Sequence, residues 1–167
     1  WKAERISPRV NKKLTPKPVD LAGVWAPVPG GGGLGKYSMD LTPAAQKLVD
    51  TFKIDMDMPA LRCVSAGLFR GFTAAISAFE ILQKDKRFTF ISGPGEVRRI
   101  FVNGPGPSEF VLETPMGYSI GSWEGSTLVI ETTLLLPSVR GFRGEPISDN
   151  ARIIERYSLS EDGNTLS

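Results

Sequence analysis

Residues 79–102 read FEILQKDKRFTFISGPGEVRRIFV, and this stretch decides the fold. Apolar and polar side chains alternate in three short runs, 79–83, 87–91 and 97–102, as they do in strands that bury one face. The sequences KDK at 84–86 and GPG at 93–95 separate these runs and are typical of hairpin turns. The stretch therefore predicts an antiparallel meander.

The same pattern continues on both sides of this meander. Residues 118–123 and 127–132 predict a further hairpin around Glu124-Gly125, residues 152–159 predict a later strand, and residues 21–25 predict an early one. A helix is expected from about Pro43 to Lys53, because Thr42 is a good N-cap and proline suits the first helical position. We therefore predict a mainly β fold, an antiparallel lipocalin-like (calycin-type) barrel with one short helix in its N-terminal half.

The composition fits one domain. The chain has 167 residues and a net charge of +2. Its length and its hydrophobic fraction of 41% are enough to form one core. We interpret residues 1–19 as a basic, proline-containing arm and residues 20–167 as a single barrel domain. Its last hairpin is expected to be incomplete, because few residues follow the turn signal Asp162-Gly163.

Composition also narrows the chemistry. The chain has no histidine, the residue that most often supplies acid/base groups and metal ligands, so we predict no metal and no cofactor. Cys63 is the only cysteine, which excludes an internal disulfide and favours a buried structural thiol. No apolar run reaches the ~20 residues of a membrane span, and the basic arm is interpreted as solvated, so neither a membrane span nor nucleic acid is predicted.

Two motifs are more consistent with ordinary loops than with ligand sites. The stretch from Gly30 to Lys36 fits the phosphate-loop spacing, but prolines interrupt the preceding strand and Tyr37 stands where a Ser or Thr should hold magnesium. Asp55 and Asp57 lack the glycine turn and the closing glutamate of a calcium loop. We predict a loop in both places.

Several short motifs resemble known families. Leu21-Ala-Gly-Val-Trp25 resembles the Gly-x-Trp signature that opens lipocalin-like barrels, in which the tryptophan closes one end. The wider set is similar to a largely uncharacterised bacterial family over about residues 20–166. Its motifs lie at 60–63, 79–81, 97–100, 116–125, 127–129 and 155–157.

The resemblance implies an exported protein whose relatives continue past residue 167, and it supplies no agreed reaction. The family pattern places His at the positions of Tyr118 and, approximately, Ser148, and Asp at that of Ser126. This chain departs from the pattern at all three positions, so no histidine-dependent chemistry carries over.

Charged residues within the predicted strands are the candidate functional groups. In 97–102, Arg99 shares a face with Val97 and Phe101 while Arg98 shares the other with Ile100, so one arginine lies among apolar neighbours. Cross-strand ion pairs on the outer surface would explain the charges without a function. Alternatively, some of these residues point inward, where arginine can bind a ligand and a buried Glu or Tyr can move a proton. The catalytic candidates are Glu131, Glu155, Tyr118 and Tyr157, and the ligand-binding candidates are Arg99, Trp123, Phe101 and Trp25.

Three hypotheses follow. The first is a binding protein that takes a small, mostly apolar molecule, oriented by an arginine and a tyrosine hydroxyl. An aromatic or an acidic ligand would also fit this hypothesis. The second is a cofactor-independent lyase, isomerase or hydratase that uses Glu131 or Glu155 as base, Tyr118 or Tyr157 as acid and Arg99 to stabilise an anion. The third is an assembly protein that forms a homo-oligomer through its arm or an open sheet edge.

Overall fold

The computed structural model describes residues 3–5, 19–28, 40–65, 67–71, 78–92, 95–137, 141 and 144–167. Within these residues the protein is mainly β, as predicted, with a few short helices. The strands are β1 (Ala3–Arg5), β2 (Gly23–Pro27), β3 (Phe79–Lys84), β4 (Arg87–Ser92), β5 (Val97–Val102), β6 (Tyr118–Glu124), β7 (Thr127–Thr133), β8 (Ile153–Tyr157) and β9 (Thr165–Leu166).

The strands form one sheet in the order β8-β7-β6-β5-β4-β3-β2-β1-β9. Strands β2 to β8 make its body, an open sheet curled into a half-barrel. The sheet is mixed, because β5 and β6 run parallel, with Ile100 beside Ser119. This pair departs from the predicted antiparallel barrel, and the long connection 103–117 between the two strands makes it possible.

The inner face of the curl holds the core. Side chains alternate along each strand, so Phe88 and Phe90 of β4 are buried between exposed or half-buried neighbours. The rings of Phe90 in β4 and Tyr157 in β8 lie 5.4 Å apart, edge to face, although three strands separate them in the sheet. Only a strongly curled sheet brings these two strands into contact.

The helices lie between β2 and β3. They are α1 (Pro43–Asp50), α2 (Ile54–Asp57) and α3 (Gly67–Gly71), with a 3-10 helix at Pro59–Arg62. Helix α1 begins where the sequence predicts, since the Thr42 hydroxyl accepts a hydrogen bond from the Ala45 N–H at 3.2 Å. It ends at Asp50, three residues before the predicted Lys53, and none of its residues is buried.

None of the helices in the described ranges is long and apolar enough to cross a membrane.

Both ends of the chain join the sheet. Residues 3–5 of the predicted arm form β1 between β2 and β9, while residues 6–18 and the stretch from Gly30 to Lys36 lie outside the described residues. Near the C-terminus, Ser158 and Ser167 exchange two backbone hydrogen bonds of 2.9 and 3.0 Å, and the returning strand β9 has two residues. Leu166 is fully buried, so β9 contributes to the core.

Candidate functional site: a buried polar cluster on the inner face

Arg98 lies inside the half-barrel. Along β5 the buried residues are Arg98, Ile100 and Val102, and only 1% of the Arg98 surface is exposed. A guanidinium at this depth costs several kcal/mol unless its charge and its N–H groups find partners. The surroundings of Arg98 therefore define the most unusual site in the described part of the protein.

The partners of Arg98 come from three other strands. Its Nη1 and Nη2 donate to the two carboxylate oxygens of Glu155, a bidentate ion pair, at 3.0 Å for Nη1 to Oε1. Nε donates to the Ser119 hydroxyl at 3.0 Å, and Nη2 also donates to the Thr132 hydroxyl at 2.8 Å. The two hydroxyls are 2.8 Å apart and hydrogen-bonded to each other. The cluster thus joins β5, β6, β7 and β8.

Strand register explains why these side chains meet. Ser119 pairs with Thr132 across β6 and β7, and Thr132 pairs with Ile153 across β7 and β8, two residues before Glu155. Residues at even spacing share a face, so Glu155 lies on the same side of the sheet as both hydroxyls. Arg98 is long enough to reach across the concave face to all three.

Tyr157 completes the cluster. Its hydroxyl donates to Glu155 Oε1 at 2.9 Å. Burial raises the pKa of Tyr157 well above its ordinary value, and the negative charge of Glu155 raises it further, while Arg98 partly opposes the shift. Tyr157 is therefore a neutral hydrogen-bond donor over the whole physiological pH range.

The Arg98 guanidinium donates four hydrogen bonds within the described residues, and it also interacts with the Tyr157 hydroxyl. The Ser92 hydroxyl is buried and has no hydrogen-bond partner among the described residues. Ser92 is on β4, two residues from Phe90, which pairs directly with Arg98. The Ser92 hydroxyl can therefore accept or donate a hydrogen bond to a polar atom of a bound molecule.

The structure brings together two of the four catalytic candidates, Glu155 and Tyr157. Glu131 lies on the opposite, outer face, where its carboxylate accepts two hydrogen bonds of 2.7 and 2.8 Å from exposed Arg152. These bonds lower the pKa of Glu131 and raise that of Arg152. Tyr118 also lies on the outer face and stacks on Phe101 with ring centroids 5.4 Å apart.

The ligand-binding candidates divide in the same way. Trp25 is fully buried, with its indole N–H donating to the Leu21 carbonyl at 3.0 Å. Trp123 is half-buried against Phe88 on the inner face. Arg99 is exposed and Phe101 is on the outer face, so neither joins the cluster. The arginine on the inner face is Arg98, because successive residues of β5 point to opposite faces of the sheet.

The structure also describes Cys63 and the two aspartates of the predicted loop. Cys63 is exposed, so the prediction of a buried thiol is wrong; it follows the 3-10 helix in a left-handed conformation, with φ of 53°. Asp55 and Asp57 lie in the short helix α2 rather than in a loop, and Asp57 accepts the Lys53 N–H at 2.9 Å. Among the described residues, no group of three or more His, Cys, Asp or Glu side chains could hold a metal ion.

Comparison with protein families, with curated proteins and with solved structures finds no match to this chain. The cluster around Arg98 must therefore be interpreted from its own geometry. That geometry combines a buried guanidinium, a neutral phenol and aromatic rings on the inner face of a curled sheet, which is compatible with a binding cavity.

Proposed function

We propose that the protein binds a small, largely apolar molecule on the inner face of the half-barrel, oriented by Arg98 and Tyr157. The observation that carries this proposal is the buried Arg98 guanidinium, which four hydrogen bonds hold on the inner face of the curled sheet beside the neutral phenol of Tyr157. The proposed function needs no cofactor.

Removing the charges of Arg98 and Glu155 from water costs free energy. Replacing a buried ion pair by apolar side chains of similar volume is often neutral or stabilising, so Arg98 and Glu155 are not required to hold the sheet together. Their hydrogen bonds instead fix a donor at one position among aromatic rings. A donor fixed in advance binds a ligand with little further loss of side-chain entropy.

The ion pair also narrows the class of ligand. Glu155 already neutralises Arg98 with both carboxylate oxygens, so an acidic ligand would have to displace it. A neutral molecule with one carbonyl or hydroxyl acceptor can share a guanidinium N–H with its present partner and does not have to displace Glu155. We therefore favour a neutral, carbonyl-bearing molecule, aromatic or aliphatic, over an acid.

We also propose a lipocalin-like relationship for the half-barrel. The complete burial of Trp25 at the first strand of the body supports it, because such barrels close one end with a tryptophan at this place. The parallel pair of β5 and β6 is a departure from the simple up-and-down order of such barrels. Membership of the bacterial family that the motifs resemble is part of the same proposal.

The contact between Tyr157 and Glu155 favours a second candidate, a cofactor-independent lyase, isomerase or hydratase on the same scaffold. The neutral phenol could act as a general acid. Glu155 is less suited to act as a base, because Arg98 holds both of its oxygens and stabilises the charged form. This arrangement makes binding the better supported function.

Two neutral dyes test the binding proposal. Prodan is an apolar naphthalene with a carbonyl group, and N-phenylnaphthylamine is of similar size without one. We expect both to bind with about one site per chain, detected by dye fluorescence. Tyr157→Phe and the paired variant Arg98→Met with Glu155→Met should weaken prodan binding by about tenfold, the value of one good hydrogen bond, and leave the other dye unchanged.

The matched control is Arg99→Met, which removes an exposed arginine from the neighbouring position of the same strand. It should change neither dye affinity. The proposal fails if no dye binds, or if the cluster variants, shown to be folded by circular dichroism, bind prodan like the wild type. Native mass spectrometry separates the enzyme from the binding protein: wild type and Glu155→Gln would retain the same compound in a binding protein and different compounds in an enzyme.

A further inference from the structure

The loop between β5 and β6 presents two large apolar side chains to solvent. Phe110 is 82% exposed and Leu112 is 79% exposed. The loop follows the outer side of the sheet, where the Tyr118 hydroxyl donates to the Pro105 carbonyl at 3.3 Å. Two large apolar side chains with this exposure, separated by one residue of a loop, are consistent with a surface that is covered by a partner.

The outer face of β6, β7 and β8 carries a depression of about 350 Å³. Its apolar floor is formed by Ile120, Val129 and Ile154, one residue from each strand. Ile154 is 47% exposed although it lies within a strand. Two acidic and two basic side chains also line the depression: Glu124, Glu131, Arg152 and Arg156.

The charges in this depression are not all paired. Glu131 is neutralised by Arg152, as described above. Arg156 is exposed and makes no hydrogen bond or ion pair within the described residues, neither with Glu131 nor with Glu124, which also lines the depression. The guanidinium of Arg156 is thus available to a carboxylate from outside.

We propose that Phe110 and Leu112 of one copy dock into this depression on a second copy, with a carboxylate of the loop paired to Arg156. The loop carries apolar side chains that can cover the floor of the depression. It also carries acids that can pair with Arg156, because Glu109 and Glu113 flank its tip. Side chains of this size match a depression of about 350 Å³.

The placement of the two surfaces explains why the partner is a second copy. Loop and depression lie on the same outer face of one sheet, so a two-fold axis brings each loop into the depression of the other copy. The two contacts then form together, and the interface closes without further growth. The loop does not fill its own depression, since Phe110 and Leu112 remain exposed.

Sedimentation velocity tests this dimer over about 1 µM to 1 mM protein, the range expected for an interface of small area. The wild type should shift from monomer to dimer with concentration. Phe110→Ser and Arg156→Glu should each weaken the dimer at least tenfold. Ile54→Ser is the matched control, because Ile54 is 60% exposed on α2 and belongs neither to the loop nor to the lining of the depression.

Charge exchange makes the test specific. One variant carries Glu109→Arg and Glu113→Arg, and another carries Arg156→Glu. Each should be monomeric alone, and an equal mixture should form mixed dimers, because each loop then faces a depression of opposite charge. A wild type that stays monomeric throughout overturns the proposal. So does a dimer that survives Phe110→Ser, a dimer that is lost with Ile54→Ser, or a mixture that remains monomeric.

Discussion

Arg98 and Glu155 place opposite charges where water has little access, and the hydrogen bonds around them come from β6, β7 and, through Tyr157, from β8 itself. Ser119 and Thr132 each bond the guanidinium and also bond each other, so neither hydroxyl is left unsatisfied. Removal of one member would leave a buried polar group without its partner, which costs more than the bond itself contributes. At the residue scale the cluster therefore behaves as one unit.

Tyr157 gives this unit a pH dependence. Its folded-state pKa is raised above the value of about 10 that an unfolded tyrosine has, so its stabilising effect is complete below pH 10 and is lost as the pH rises further. The wild type should therefore lose more thermal stability between about pH 9 and pH 11 than Tyr157→Phe does. Melting curves followed by circular dichroism at a series of pH values test this, and parallel losses would contradict it.

The sequence could place Glu155 and Tyr157 on one face but could not decide between the two arginines. Arg98 and Arg99 each have two apolar neighbours at even spacing, so alternation alone gives equal weight to both. Pairing with β4 and β6 decides the matter, because it turns Ile100 and Val102 toward the core. That register depends on long-range contacts, which a local pattern does not contain.

At the scale of the element, the parallel strand β6 depends on a glycine at its entrance. Gly117 has φ of 64°, and an added Cβ would come within 2.5 Å of the Thr133 carbonyl oxygen and 2.6 Å of the Thr132 methyl group. A side chain here meets both backbone strain and a collision with β7. Gly125, in the turn between β6 and β7, has φ of 61° and open space around its Cβ position.

These two glycines form a matched pair for mutation. Gly125→Ala should cost about 1 kcal/mol, the strain of the left-handed region alone. Gly117→Ala should cost about 2 to 4 kcal/mol, because overpacking against β7 is added to that strain. Urea unfolding of both variants measures the difference. Equal losses would show that the sheet opens to accept the methyl group.

Most elements are predictable from local pattern, and their pairing is only partly so. The alternation over 79–102 predicts β3, β4 and β5 to within about a residue, because short turns fix neighbouring antiparallel strands. The parallel pair of β5 and β6 is not predictable in this way. A helix in the connection is the usual sign of a parallel crossover, and the connection 103–117 has none. No local sequence pattern therefore predicts the parallel pair.

At the scale of the whole molecule, the two ends of the strand order are linked by the C-terminal hairpin. Residues 158–160, which continue β8, bond to residues 165–167, and β9 also pairs with β1 at the far end of the order. The shortest strand therefore supports the curl of the entire sheet. Leu166 is its only fully buried side chain.

Leu166→Ala should accordingly destabilise the molecule as a whole. We expect a loss of about 2 to 5 kcal/mol in the free energy of unfolding, the usual cost of such a truncation in a core. The control is Leu82→Ala, since Leu82 is 45% exposed in strand β3, and its effect should be below about 1 kcal/mol. Urea unfolding provides the measurement. A similar small loss for both variants would mean that the curl does not depend on the C-terminal hairpin.

The single parallel pair has a consequence for how the chain assembles. It separates two antiparallel meanders, β3 to β5 and β6 to β8, each of which can form from neighbouring segments before the longer connection closes. Arg98 belongs to the first meander, and Ser119, Thr132 and Glu155 belong to the second. Two fragments produced by cleavage in the connection would have to bring these side chains together again to restore the native cluster. The buried ion pair is thus a contact that forms only when the two halves dock.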